Sequence, residues 1–374
     1  MRKILASLLA VMLIFSVIEA NAEGLELNGK SFILIECTTG KVLYEQNADE
    51  RLAPASVTKV MTMLLVMEAI DRGEITYDTV VTASERAKSI GGSTIFLDTG
   101  EEMTIDDLLK GIAVASGNDA CVAVAEHLSG SVEQFVAVMN NRAKELGMVN
   151  TNFVTCNGLD DDNHYSSARD IAIMSRELLK HEDIFRYTTI WMDSLRGGRF
   201  QLANTNKLIR YYSGANGLKT GSTSKAKNCI SATAKRDGMQ LCAVVLGSDT
   251  SQLRFNAAST LLNYGFANFA VKGTEGGEIM GEVLIKKGQS GKVRGVLESD
   301  CVTVTKKSEA DSITKEINMY ESVNAPVKKG DKLGEIVIKT NDGNVVKKNI
   351  VAENNVDKIT FGKMYMKILK TWTT

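Results

Sequence analysis

Histidine is scarce in this chain of 374 residues: only His127, His164 and His181 are present. A Ser-His-Asp triad would have to recruit one of the three, so any nucleophilic serine is expected to use a different base. No Cys-x-x-Cys or His-x-x-x-His pair occurs. The usual zinc-ligand spacings are therefore missing, and neither a metal nor another cofactor is expected. Basic charge is not in excess. Lys and Arg number 44 against 45 Asp and Glu, a net charge of −1, which leaves no field suited to nucleic acid. The N-terminal apolar run, Ile4 to Ile18, is about fifteen residues and too short to span a bilayer comfortably.

That run follows Arg2 and Lys3 and precedes Ala20-Asn21-Ala22. A basic start, a short apolar stretch and a small-x-small site read as a secretory signal peptide, 1–22, cleaved after Ala22. Removing it leaves 42 basic and 44 acidic residues, a net charge of −2. Export permits disulfides. The six cysteines (Cys37, Cys121, Cys156, Cys229, Cys242 and Cys301) are widely scattered, however, and several sit in apolar contexts that suit buried thiols.

Phe32–Ile35 and Lys41–Tyr44 read as strands around a Thr38-Thr39-Gly40 turn. An all-round apolar helix is expected from near Ser56 to Ile70. Thr104 with Asp107 caps a second helix, and helical patterns continue over 119–128, 132–146 and 168–180. Cys229–Ala234 and Leu241–Leu246 form a hairpin about Arg236-Asp237-Gly238, followed by a helix over 254–264. Strands at both ends with helices between predict an α/β catalytic domain, 23–269, built as one antiparallel sheet covered by helices. Residues 270–352 carry short alternating runs and read as a small all-β domain. In 353–374, Phe361, Met364, Tyr365, Ile368, Leu369 and Trp372 gather opposite Lys363, Lys367 and Lys370. That predicts an amphipathic basic helix lying in an anionic membrane surface.

Three short motifs stand in order along the chain. Ser-x-x-Lys starts at Ser56, but also at Ser222, Ser224 and Ser312; Ser-x-Asn starts at Ser116 and Ser322; Lys-Thr-Gly occurs only at Lys219. Each is weak alone, and order and context select Ser56/Lys59, Ser116/Asn118 and Lys219–Gly221. Ser56 and Lys59 share one face at a helix start. The free N–H groups there suit a developing oxyanion, and Lys59 can act as base if burial and the nearby cation of Lys219 hold it neutral. Ser116 is a candidate proton relay, and Asn118 a holder of Lys59 and of the substrate backbone. Lys219 and Thr220 on an edge strand would bind a carboxylate, Gly221 would let a substrate backbone approach, and the Ser222 N–H would complete an oxyanion hole.

With these residues in place, the chain resembles the serine-type D-alanyl-D-alanine carboxypeptidases, the low-molecular-mass penicillin-binding proteins. The likeness rests on Pro54-Ala55-Ser56-Val57-Thr58-Lys59, Ala115-Ser116-Gly117-Asn118-Asp119-Ala120 and Gly217-Leu218-Lys219-Thr220-Gly221. It extends to Gly158-Leu159-Asp160 with His164-Tyr165-Ser166 and Arg169-Asp170. The resemblance implies a penicillin-binding, transpeptidase-like (β-lactamase-like) fold. It implies that Ser56 attacks the bond between the terminal D-alanines of a peptidoglycan stem peptide, that water then hydrolyses the acyl-enzyme, and that β-lactams acylate the same serine. It also implies action outside the cytoplasmic membrane, at the cell wall, and it marks Arg254 as an additional carboxylate-binding residue. Gly117 and Cys156-Asn157 depart from the commoner family pattern without removing a catalytic group. No Glu-x-x-Leu-Asn segment of the class A β-lactamase kind is found. An endopeptidase or transpeptidase on cross-links, or a slowly turning-over penicillin binder, would use the same residues.

Overall fold

The computed structural model describes residues 25–340 and 343–365; the proposed signal segment lies outside them. In chain order, β1 (Ser31–Glu36) and β2 (Val42–Gln46) are followed by helix α1 (Lys59–Asp71). A short pair, β3 (Val80–Thr82) and β4 (Glu102–Thr104), brackets residues 83–101 and leads into α2 (Ile105–Val114), α3 (Asn118–Ser129), α4 (Val132–Glu145) and α5 (Ala168–Leu178). The hairpin β5 (Met192–Leu195) and β6 (Phe200–Ala203) precedes β7 (Ala215–Thr223), β8 (Lys227–Arg236), β9 (Met239–Ser248) and α6 (Ser251–Asn268). The Thr104 side chain accepts from the Asp107 N–H, the cap read from the sequence.

The main sheet has the order β2-β1-β9-β8-β7, antiparallel throughout. Strand alternation sorts its side chains between two cores. Ile33, Ile35, Cys242, Val244 and Leu246 pack with α1 and the other helices of the catalytic lobe. Phe32, Leu34, Leu241, Ala243 and Val245 pack on α6. Helix α1 is buried from Lys59 to Met67, as expected of a helix apolar all round. Asp237 and Gly238 take φ of 48° and 78°, so the β8–β9 turn has the double left-handed conformation that two-residue hairpins favour. Such a sheet layered between helices is the expected α/β transpeptidase-like architecture. The six cysteines are all buried and unpaired.

The second domain starts without a linker, because β10 (Phe269–Thr274) leaves directly from the end of α6. Four more elements follow as β11 (Ile279–Lys286), β12 (Lys292–Leu297), β13 (Cys301–Lys306) and β14 (Thr314–Met319). The last three are β15 (Ser322–Asn324), β16 (Lys332–Lys339) and β17 (Val345–Ala352). A six-stranded sheet, β14-β16-β17-β12-β11-β15, stands beside the pair β10-β13. Phe269 and Val304 of that pair join the core beneath α6, so the domains share apolar contact.

The C-terminal reading needs a correction. Residues 353–360 are not the start of a helix: Val356 bridges Val327, Lys358 bridges Gly288, and Val356 is buried in the β-domain core. An inward valine and a returned backbone pairing hold this stretch to the small domain. Helical structure begins at 361 and is described to 365; the rest of the expected membrane helix lies outside the described residues. No helix among the described residues is long and apolar enough to cross a membrane.

Candidate active site

Ser56 sits on a single tight turn, Ala55–Thr58, that feeds into α1. Ala55 takes a left-handed φ of 49°, turning the chain so that Ser56 stands at the helix entrance. Lys59, one turn on, is fully buried. Its Nζ lies 2.9 Å from Ser56 Oγ and donates to Asn118 Oδ1 at 2.7 Å and to the Asn157 carbonyl at 2.6 Å. Burial pushes this lysine below its ordinary value. A neutral amine has two hydrogens and one lone pair. The Asn118 and Asn157 oxygens can only accept, so they take the two hydrogens and leave the lone pair facing the Ser56 hydroxyl. That is the geometry of a base beside its nucleophile.

Burial pushes Lys219 well down and the neighbouring Lys59 adds to the fall; charge repulsion is reciprocal, so the pair disfavours holding both lysines protonated at once.

Asn118 opens α3, and both its ends are held. Its Nδ2 donates to the Gly91 carbonyl at 2.7 Å and its N–H to the Ser93 carbonyl at 2.7 Å. The Asp119 carboxylate receives the N–H groups of Ile95, Leu97 and Ala120. The segment 91–97 is thereby clamped over the helix entrance. Ser116 is nearly buried with φ of 64°, between α2 and α3. Among the described residues it makes no hydrogen bond to Lys59, so a relay through Ser116 requires substrate or water to complete it.

Strand β7 is an edge of the sheet and lies against the Ser56 turn, as the sequence reading required. A Cβ on Gly221 would stand 2.8 Å from the Ser56 nitrogen and 3.0 Å from the Pro54 oxygen. Glycine is needed there for close approach rather than for φ. Lys219 is buried, with Nζ on the Thr220 carbonyl at 3.0 Å, and Thr220 Oγ1 donates to Thr205 Oγ1 at 2.8 Å. Ser222 is exposed one residue beyond Gly221. Arg254 reaches β7 from the first turn of α6. Its guanidinium donates to the carbonyls of Gly221 (3.1 Å) and Cys229 (3.3 Å) and lies 4.5 Å from the Phe255 ring. Burial lowers it to about 10. These contacts make Arg254 a brace of the strand as well as a nearby cation.

The stretch 155–166 supplies partners whose roles were missed. Its Asn157 carbonyl holds Lys59, and its Cys156 carbonyl accepts from Thr62. A Cβ on Gly158, at φ of 89°, would overlap the Ala55 oxygen at 1.9 Å. His164 accepts at Nδ1 from the Val154 and Thr155 N–H groups, which fixes the proton on Nε2 for donation to Thr58 Oγ1 at 2.8 Å. Burial pushes His164 down to about 4. The one histidine near the site is therefore a neutral brace of the nucleophile turn, not its base. The Gly-Leu-Asp and His-Tyr-Ser motifs flagged the stretch; nothing in them spelled out backbone roles. No group of residues able to hold a metal occurs among the described residues.

Comparison with known proteins agrees with this geometry. The family model "D-alanyl-D-alanine carboxypeptidase" matches residues 17–250, and "Penicillin-binding protein 5, C-terminal domain" matches residues 270–358. D-alanyl-D-alanine carboxypeptidase DacF of Bacillus subtilis is 45% identical over 350 residues, covering 92% of this chain and 90% of the relative. The crystal structure of penicillin-binding protein 5 from Haemophilus influenzae superposes with a TM-score of 0.72 at 32% identity, over 89% of this chain and 98% of that one. Penicillin-binding protein D2 of Listeria monocytogenes, solved with ampicillin bound, gives a TM-score of 0.60 at 32% identity over 65% of this chain and 99% of its own.

Proposed function

The chain belongs to the D-alanyl-D-alanine carboxypeptidase family, and from that premise we propose how its own residues divide the reaction. The protein is a serine-type hydrolase of D-Ala-D-Ala termini that works through an acyl-enzyme, and it acts at the cell wall on peptidoglycan.

Ser56 is the nucleophile. Lys59 takes its proton as the Ser56 oxygen bonds to the penultimate D-alanine carbonyl carbon. The Ser56 and Ser222 N–H groups receive the oxyanion. The C–N bond then breaks, and the proton passes from Lys59, by way of Ser116, to the departing amine of D-alanine. Water, deprotonated by the same base, hydrolyses the ester. Asn118 keeps Lys59 aimed and accepts the substrate backbone. Lys219 and Thr220 bind the terminal carboxylate, whose arrival would favour the protonated form of Lys219. Gly221 admits the substrate strand, and Arg254 adds a cation beneath it. The observation that carries this reading is the buried Lys59 Nζ, 2.9 Å from Ser56 Oγ with acceptor-only oxygens at two of its other positions.

The test is release of free D-alanine from a peptide ending in Lys-D-Ala-D-Ala. The unmodified protein should release it, and Ser56→Ala should be slower by about 10⁴-fold or more. Equal release by both would remove Ser56 from the mechanism. No release by either, with penicillin still bound covalently by the unmodified protein, would favour a cross-link-specific enzyme or a slow-deacylating binder.

The domain assignment follows the same reading: signal peptide 1–22, catalytic domain 23–269, then the β domain and a terminal membrane-surface helix. Phe361, Met364 and Tyr365 are exposed at the start of that helix, which supports an apolar face left uncovered by the described residues. The tail would hold the exported enzyme at the outer face of the membrane.

A further inference from the structure

Hairpin β5–β6 and the short helix Leu208–Tyr211 form a surface that none of these roles uses. From Ser194 to Tyr212 the chain carries four basic residues and no acidic one. Arg196 is paired with Glu101 at 2.6 Å. Arg199, Lys207 and Arg210 are exposed, and among the described residues no carboxylate lies within ion-pair distance of them.

Aromatic rings stand beside one of these cations, Arg210. Trp191 and Tyr211 meet edge to face with centroids 6.1 Å apart, and the Arg210 guanidinium lies 5.6 Å from the first ring and 5.7 Å from the second. Tyr211 is 73% exposed and Met192, next to Trp191, 62% exposed. The Trp191 indole N–H is buried without a hydrogen-bond partner among the described residues.

The surface joins the cleft directly. The Asn204 N–H donates to the Trp191 carbonyl at 2.9 Å, and the next residue, Thr205, accepts from Thr220 at 2.8 Å.

We propose that Trp191, Tyr211, Arg210, Arg199 and Lys207 form a docking shelf for the peptidoglycan polymer itself, beyond the stem peptide being cut. The inference rests on the carboxypeptidase reading above. A pyranose ring presents weakly positive C–H groups that suit the electron-rich face of an aromatic ring. Carboxylates on neighbouring stems of the same polymer suit unpaired guanidinium and ammonium groups. Trp, Tyr and Arg are also the residues that dominate binding surfaces. A polymer held at both shelf and cleft gains effective concentration that a short peptide cannot.

The experiment compares full-length Ser56→Ala protein with the same protein carrying Tyr211→Ala and Arg210→Gln, each incubated with purified insoluble sacculi. Retention by the shelf variant should be weaker by about tenfold or more. With Ser56 intact, the same two substitutions should leave D-alanine release from the short peptide within about twofold. Undiminished retention on sacculi overturns the proposal. Equal losses on sacculi and short peptide also overturn it, since they report a damaged cleft. Tyr211-dependent binding to anionic phospholipid vesicles, with no effect on sacculi, overturns it in favour of a membrane contact. Absence of short-peptide release by the unmodified protein would instead overturn the carboxypeptidase reading, so the two failures are distinguishable.

Discussion

His164 carries a pH dependence separate from the chemistry. Its folded-state value is depressed from 6.5 to about 4 by burial. As pH falls below 6.5 the unfolded chain takes up a proton that the native imidazole refuses, so stability declines through the window from 6.5 to 4. The full loss is about 3 kcal/mol, reached below the folded value. Urea unfolding at a series of pH values should show this decline, and His164→Asn should flatten it while lowering stability at pH 7. An identical slope in the variant would sink the assignment. The side chains proposed to react, Ser56, Lys59, Asn118, Lys219 and Thr220, could be named as candidates from the sequence because covalent and charge chemistry demands particular residue types. The Asn157 carbonyl that holds Lys59 was not, because any residue can supply a carbonyl. The neutral role of His164 depends on two backbone N–H donors that spacing does not reveal.

Among the elements, β7 and the Ser56 turn act as one unit. Gly221→Ala would place a methyl 2.8 Å from the Ser56 nitrogen, which we propose helps receive the oxyanion. Strand and turn would have to part, and misplacement of about 1 Å costs on the order of a hundredfold. The rate of covalent labelling by a fluorescent penicillin should fall by about that factor, with far-UV circular dichroism unchanged; an unaltered labelling rate would show that the approach is not needed. Most of the catalytic domain's elements could be read from period and caps: the helix after Ser56, the Thr104 cap and the β8–β9 hairpin. The short pairs β3–β4 and β5–β6 were not legible, since three or four residues carry too little periodicity. Segment 91–97 is ordered by the Asp119 carboxylate, a contact across sequence that no local pattern encodes.

The whole molecule joins a catalytic lobe to a β domain through α6 and β10 with no spacer. The corrected C-terminus changes how the anchor should be tested. Deleting 353–374 would remove Val356 from the β-domain core and confound release with unfolding. Deleting 361–374 leaves that core intact. The shorter deletion should move the processed protein from the membrane pellet to the soluble fraction while D-alanine release from the short peptide persists. Continued sedimentation with membranes would refute anchoring by the tail. The apolar face read from the sequence begins only at Phe361, and the place of 353–360 is set by the pairing of Val356 with Val327, a contact across sequence.

The six buried thiols are all pushed upward by burial, Cys121, Cys229 and Cys242 to about 11. A thiol with such a value is ionised to only about one part in 10⁴ at neutral pH, and the thiolate is the form that oxidants attack. Once folded, the chain resists oxidation. Before folding, six ordinary cysteines can pair in 15 ways, and a single wrong bond would keep two core positions from closing. For an enzyme exported with this composition, closing the core is the step that withdraws these thiols from oxidants.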